Sequence, residues 1–347
     1  MRGAVFLGNR KIEIRNFPDP VPGPGEVVIE MKASGLCGSD LKFYRSPPGA
    51  AQAALGLGGD AEPFIAGHEP CGVVAARGPG VSEREAPIGS RVMDHHYAGC
   101  GVCKHCRVGW SQLCREGIKV YGVTANGGHA DYLKVPARTL VPLPDELSFV
   151  EGAAVACGTG TAYGALRRMH LAGGNTLAVF GQGPVGLSAT LLGAKMGARV
   201  IAVETSKERQ ALAKEFGADK ALSPEDFERQ LKDLTRGEGV DLALDCTGIA
   251  QARLAAVRSA KTWGTVCFVG EGGEVTLDVS RDMLRKQLTL IGSWTFSAMG
   301  QAECARFVAD NRIPLERIFS HKWKLDQVDE AYRMFDTQAT GKAVIVF

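Results

Sequence analysis

NTLAVFGQGPVGLSATLLGAKMGA, residues 175–198, decides the reading of this 347-residue chain. Its opening run, 175–180, is apolar without alternation, as in a strand buried on both faces. It passes directly into G-x-G-x-x-G at Gly181, Gly183 and Gly186, and then into an apolar helical stretch. The glycine pattern alone is a weak signal. Between a strand and a helix it describes a phosphate-binding turn. Gly181 permits the tight turn, Gly183 lets the backbone approach a pyrophosphate, and Gly186 lets the helix pack on the sheet. Pro184 and Val185 sit at the helix N-terminus, which favours an anion. A glycine-rich turn that binds nothing is the plainer alternative.

Downstream, strands are predicted at 199–204, 240–245, 265–270 and 288–293, with helices at 206–219 and near 250–260. Strand–helix alternation of this kind predicts a parallel, doubly wound α/β sheet. Glu204 ends the second strand, eighteen residues after Gly186. A carboxylate there can accept from both ribose hydroxyls and would repel a 2′-phosphate, which favours NAD over NADP. Lys207 and Arg209 follow. Both suit a solvated first turn of the next helix, and Arg209 is also a candidate cofactor contact. Thr247, Val269 and Ser293, just beyond later strands, are further candidate cofactor contacts.

Upstream the texture is β-rich and dense in Gly and Pro, with short strands at 26–34, 71–78 and 129–137 and a loop at 45–63 that could be a surface insertion or a lid. The last fifty residues hold a short helix, VDEAYRMF, and a terminal strand, KAVIVF. The expected organisation is a β-rich domain of 1–157 and 295–347 around a cofactor domain of 158–294.

Bulk properties exclude several classes. Net charge is +2, so no basic excess points to nucleic acid or an anionic membrane. No window of about 18 uninterrupted apolar residues suggests a spanning helix. The N-terminus is a poor signal peptide. Ten cysteines without a secretory signal suggest reduced thiols, some of them metal ligands, in a cytoplasmic protein.

Four of those cysteines, Cys100, Cys103, Cys106 and Cys114, lie in CGVCKHCRVGWSQLC. Four thiolates complete a tetrahedron and leave no open position, which suits a structural metal. Cys37 in GLCGSD, His68 in GHEP and Cys157 in AVACGTGTAYGA are each dull alone. Together they make a three-ligand set that leaves zinc's fourth position open, as a catalytic site needs.

These motifs carry a resemblance. GHEPCGVVAARGPGV (67–81), CGSD (37–40), the four-cysteine lobe and G-x-G-x-x-G occur in the order seen in zinc-dependent medium-chain alcohol dehydrogenases. The resemblance covers essentially the whole chain. It implies a GroES-like β-rich catalytic domain, a Rossmann cofactor domain, two Zn2+ per chain and a homodimer or homotetramer. By that resemblance Cys37, His68 and Cys157 hold the catalytic zinc, and Glu69 is a carboxylate able to approach it. Asp40 would orient His68, Ser39 would take the substrate hydroxyl proton through a hydrogen bond, and Thr161 would pack near the nicotinamide. The family's relay histidine is replaced by Lys42. The implied reaction passes a hydride between an alcohol, expected to be secondary, and NAD; zinc supplies Lewis acidity and no redox chemistry.

The third ligand is Cys rather than the Glu common in polyol and threonine dehydrogenases of the family. A polyol dehydrogenase is therefore the alternative, supported by the likeness of CGSDLKFY to that group. The substrate pocket is expected between the domains, with Phe43, Tyr44, Trp294 and Phe296 as candidate lining or, equally, as core. A nucleic-acid-binding zinc protein fits poorly, because the cysteines are not two separated pairs and the charge is near neutral. A zinc-free quinone reductase or lens-type homologue would lack the ligands present here. Cys71, Cys246, Cys267 and Cys304 read as buried hydrophobes. His95, His96, His105, His129, His170 and His321 receive no role.

Overall fold

A computed structural model of the chain describes residues 1–54, 56, 64–338 and 341–347. One compact unit is formed by Met1–Gly160, Phe296–Gln338 and Lys342–Phe347, and a second chiefly by Thr161–Thr295.

In the second unit six strands run parallel in the order Lys220–Leu222, Arg199–Val203, Thr176–Phe180, Val240–Asp245, Ala260–Phe268 and Thr289–Gly292. This is the doubly wound α/β arrangement, in which the strand order reverses beside Thr176–Phe180. The apolar run explains its place: Leu177, Ala178 and Val179 are fully buried, as a central strand covered on both faces requires. The strand at Ala260–Phe268 begins earlier than the predicted 265, because the helix Ala250–Ser259 ends directly in it. The helix Lys207–Glu215 is closed by Gly217 at φ +100°, a conformation that glycine adopts without steric cost.

In the first unit Glu26–Leu36 is the organising strand. It pairs antiparallel with Pro70–Arg77, with Tyr132–Pro136 and with the C-terminal strand Lys342–Val346. It is buried along most of its length and feeds a core that includes Val27, Ile29 and Met31. A second apolar cluster gathers Phe6, Phe43, Tyr44 and Tyr332. The predicted loop at 45–63 contains a short helix, Ala50–Ala54; its residues 55 and 57–63 lie outside the described residues. Among the described residues no helix is long and apolar enough to cross a membrane.

Candidate active site and structural metal lobe

Register brings the first ligand candidates together. Ser34 stands opposite Pro70, Ala343 opposite Leu36, and the Gly35 N–H donates to the Glu69 carbonyl at 3.1 Å. Cys37 therefore leaves its strand beside His68, Glu69 and Lys342. Cys157 arrives from elsewhere, on a π-helical turn, Val155–Thr159, between the helices Phe149–Ala154 and Gly160–Arg168. Such turns recur at functional sites, because one extra residue per turn redirects a side chain.

The ligand atoms of Cys37, His68, Glu69 and Cys157 all lie within 4.8 Å of one another. The Cys37 and Cys157 Sγ atoms are 3.9 Å apart. Zn–S bonds of about 2.3 Å in a tetrahedron give an S–S edge of about 3.8 Å, so the two thiols fit a shared zinc. Their proximity also fixes their protonation. The Cys157 thiol donates to Cys37, and with His68 and Lys342 nearby this holds Cys37 well below the usual thiol range; Cys157 is pushed up by the same contact.

His68 is 3% exposed, and its Nδ1 stands 2.8 Å from Asp40 Oδ1, so Nε2 is left for a metal. Burial alone would lower the imidazole pKa, but Asp40 outweighs it and the pKa is raised. Asp40 Oδ2 accepts from the Cys37 N–H at 2.8 Å. The Ser39 hydroxyl is 3.3 Å from His68 Nε2, on the metal-facing side of the ring.

Glu69 is fully buried. Its carboxylate accepts from Lys342 Nζ at 2.6 Å, and Lys342, 1% exposed, also donates to the Leu36 carbonyl at 3.0 Å. Burial pushes the Glu69 pKa up to about 8 despite that ammonium. Lys342 opens the terminal strand KAVIVF, and its partner is set by strand register and has no local signature.

The four-cysteine lobe is a separate centre. Its four Sγ atoms lie within 4.8 Å of one another, with Cys103 and Cys114 3.9 Å apart. Backbone N–H groups converge on the sulfurs: Cys100 N donates to Cys114 Sγ at 3.2 Å and Cys103 N to Cys100 Sγ at 3.3 Å. Backbone donors lower the Cys103 pKa to about 6, while burial pushes Cys106 up to about 12. A thiolate set so supported fits zinc, and the set is closed. Gln112 Nε2 and the Ala298 N–H tie the lobe to the C-terminal segment through the Phe296 and Gly109 carbonyls, at 2.8 and 2.9 Å.

In the second unit the glycine turn behaves as its spacing requires. Gly181 has φ +84°, and a Cβ there would meet Thr247 Cγ2 at 2.7 Å. A Cβ on Gly186 would overlap the Gly181 carbonyl oxygen, whereas one on Gly183 would point into open space. Pro184 and Val185 begin the helix Pro184–Lys195. Thr247 donates its N–H and hydroxyl to Asp245 Oδ1 at 2.9 and 2.6 Å. Val269 N donates to the Asp245 carbonyl, and Ser293 N to that of Phe268. The Ser293 hydroxyl is buried and has no hydrogen-bond partner among the described residues. Thr161 is 7% exposed at the start of the helix Gly160–Arg168.

Glu204 differs from expectation. Its Oε2 accepts from Gln182 N at 2.7 Å, and its Oε1 accepts from Thr205 N, Thr205 Oγ1 and Ser206 N at 2.8–3.1 Å. About four lone-pair positions are thus already used, so the carboxylate braces the phosphate-binding turn rather than waiting free for a ribose. Arg209 is half-buried, not a freely solvated residue, and its Nε has no hydrogen-bond partner among the described residues.

Other candidates fall differently. Phe43 and Tyr44 pack with Phe6 in the aromatic core, and Phe296 is buried against His95. Trp294 is 41% exposed. Cys71, Cys267 and Cys304 are buried as expected of small hydrophobes, while Cys246 is partly exposed. Lys42 is half-buried on the helix Asp40–Arg45.

Comparisons with known proteins agree with this geometry. Residues 184–310 match the zinc-binding dehydrogenase model, and residues 23–145 match the alcohol dehydrogenase GroES-like domain model. An Escherichia coli (strain K12) uncharacterized zinc-type alcohol dehydrogenase-like protein is 38% identical, over 100% of this chain and 99% of its own. L-threonine 3-dehydrogenase of Pyrococcus horikoshii is 32% identical over 94% of this chain and 92% of its own. L-idonate 5-dehydrogenase of Vitis vinifera is 28% identical over 97% and 91%. The structure of an alcohol dehydrogenase from Thermus sp. ATN1 superposes with a TM-score of 0.89 at 28% identity, covering 100% of this chain and 99% of that one. Two domain matches, a full-length relative and a full-length structural likeness place this chain in the zinc-type alcohol dehydrogenase family, as an oxidoreductase with a GroES-like domain and a Rossmann cofactor domain.

Proposed function

We propose that this chain passes a hydride between a secondary alcohol and NAD, giving a ketone, with a catalytic zinc on Cys37, His68 and Cys157 and a structural zinc on the four-cysteine lobe. The observation that carries the reading is the convergence of Cys37 and Cys157, 120 residues apart, at a zinc-tetrahedral sulfur spacing beside His68. Bound zinc supplies a Lewis acid that lowers the pKa of a hydroxyl and takes no electrons.

The chain's own residues do the rest. Asp40 holds the His68 ring by Nδ1, and the Ser39 hydroxyl, 3.3 Å from Nε2, is placed to accept the substrate hydroxyl proton's hydrogen bond. Glu69, tied to Lys342, is a carboxylate adjacent to the centre. Gly181, Gly183 and Gly186 receive the pyrophosphate of the dinucleotide, and Thr161, Thr247, Val269 and Ser293 are its further contacts. Glu204 favours NAD by its charge at the adenosine end, where a 2′-phosphate would be repelled. The protein is proposed to be cytoplasmic, since thiolate-rich metal sites suit a reducing compartment, and, from the family resemblance alone, a homo-oligomer.

A polyol substrate is the second reading, favoured by the L-idonate 5-dehydrogenase relative; its substrate, too, would be oxidised at a secondary carbinol. The test is a panel of simple secondary alcohols and C4–C6 polyols with NAD and NADP, with zinc measured on the same sample. Turnover on one group, at least about tenfold higher kcat/KM with NAD (about 1.4 kcal/mol) and two zinc per chain are expected. Equal efficiency with NADP would remove Glu204 from cofactor choice, and absence of zinc would overturn the reaction class.

A further inference from the structure

Asp245 ends the strand Val240–Asp245, beside the point where the strand order of the parallel sheet reverses. A dinucleotide lies across such a point, outside the carboxyl ends of the strands. Asp245 is fully buried, and each of its three oxygens accepts hydrogen bonds. Its carbonyl accepts from the Val269 and Gly270 N–H groups at 2.9 and 3.0 Å. Its Oδ1 accepts from the Thr247 N–H and hydroxyl, and its Oδ2 from the Gly248 N–H at 3.2 Å. Oδ2 also accepts from Arg253 Nε at 3.2 Å, and Arg253 Nη2 donates to the Gly270 carbonyl at 2.5 Å. Arg253, on the helix Ala250–Ser259, is only 8% exposed.

One ion pair therefore ties together the turn after Val240–Asp245, the turn after Ala260–Phe268 and the helix between these strands. The two turns touch backbone to backbone. A Cβ on Gly270 would overlap the Gly248 nitrogen, and one on Gly273 the Gly248 carbonyl oxygen. The Thr247 hydroxyl, which donates to Asp245, also accepts from the Ile249 N–H at 2.9 Å. With the hydroxyl so held, the Thr247 methyl stands against the phosphate-binding turn, where a Cβ on Gly181 would meet it at 2.7 Å. A buried ion pair adds little net stability over apolar packing, because desolvation offsets the attraction. What the rigid guanidinium fork supplies is a fixed distance between two acceptors.

Each half of a doubly wound sheet receives one nucleotide. Glu204, with the strand Arg199–Val203, lies on the adenosine side of the reversal, and Asp245 and Arg253 lie on the other. We infer that Arg253, acting through Asp245 and the Gly270 carbonyl, is a positioning residue for the nicotinamide half of the dinucleotide. It sets Thr247 and the Val269–Gly270 backbone, against which that half lies. This inference rests on the proposed cofactor site and assigns Arg253 no contact with the cofactor itself.

NADH and ADP separate this role from a structural one, because ADP carries the adenosine and two phosphates but no nicotinamide. Titration calorimetry on the zinc-loaded full chain gives both dissociation constants. Arg253→Met keeps the apolar stem and removes every donor; it is expected to weaken NADH about tenfold and to leave ADP within about twofold of wild type. Arg253→Lys keeps the charge but cannot span both acceptors as a fork, and is expected to weaken NADH about threefold, with ADP again unchanged. Should Arg253→Met fail to fold, Arg253→Lys decides alone. Unchanged NADH affinity in the folded variants, or equal losses for NADH and ADP, would overturn the positioning role. A wild-type chain that binds neither NADH nor ADP would overturn the proposed cofactor site, and this inference with it.

Discussion

Among the described residues Asp94 has no hydrogen-bond partner to offset its burial. It is fully buried, and the nearby Thr139 hydroxyl, committed to the Pro136 carbonyl at 2.8 Å, offsets that burial only in part. Burial pushes its pKa up to about 7. The folded state therefore keeps a proton that the unfolded chain, with an ordinary carboxyl pKa of about 3.9, releases. Stability contributed by this site falls as pH rises from about 4 to about 7 and is lost above it. Asp94→Asn is expected to stabilise the fold by about 2–4 kcal/mol at pH 8 and to be near neutral at pH 4. Denaturant unfolding at the two pH values checks this, and a stabilisation independent of pH would contradict it. Nothing in DHHY, 94–97, marks this aspartate in the sequence, because its isolation is a property of the packing around it.

At the scale of elements, the glycine turn and the ligand-bearing turn were legible to different degrees. G-x-G-x-x-G states its own geometry, because each glycine answers a distinct local demand. Those demands separate two variants. Gly183→Ala places a methyl in open space and is expected to leave the melting temperature unchanged while weakening dinucleotide binding about tenfold. Gly186→Ala drives a methyl into the Gly181 carbonyl and is expected to lower the melting temperature as well. Cofactor titration beside thermal unfolding distinguishes them; equal behaviour of the two would contradict the assigned roles. Cys157 was legible as a candidate, but its π-helical turn was not, since the sequence VACGT carries no marker of one extra residue per turn. Glu204 was read at the correct strand end, and its four internal donors escaped notice because three of them are backbone N–H groups, from two different turns, and the fourth is the Thr205 hydroxyl.

For the molecule as a whole, strand–helix alternation made the parallel sheet readable, and cysteine spacing made the structural lobe readable, because both are patterns within short stretches. The catalytic set was not readable from spacing. Cys37 and His68 meet through the pairing of Glu26–Leu36 with Pro70–Arg77, and Cys157 was joined to them by ligand chemistry and the family resemblance, neither of which states the fold that gathers them. Lys342, His129 and Tyr332 lay further out of reach. The antiparallel pairing of the last strand sets Ala343 opposite Leu36 and so brings Lys342 to Glu69, while a C-terminal helix brings Tyr332 to a histidine 203 residues away.

The division of labour between two cysteine centres is the central claim, and metal content with turnover in Cys157→Ala tests it most directly. The variant is expected to fold, keep the lobe zinc, lose the other, and retain less than about one thousandth of wild-type turnover. Two zinc per chain with near-full activity would contradict it.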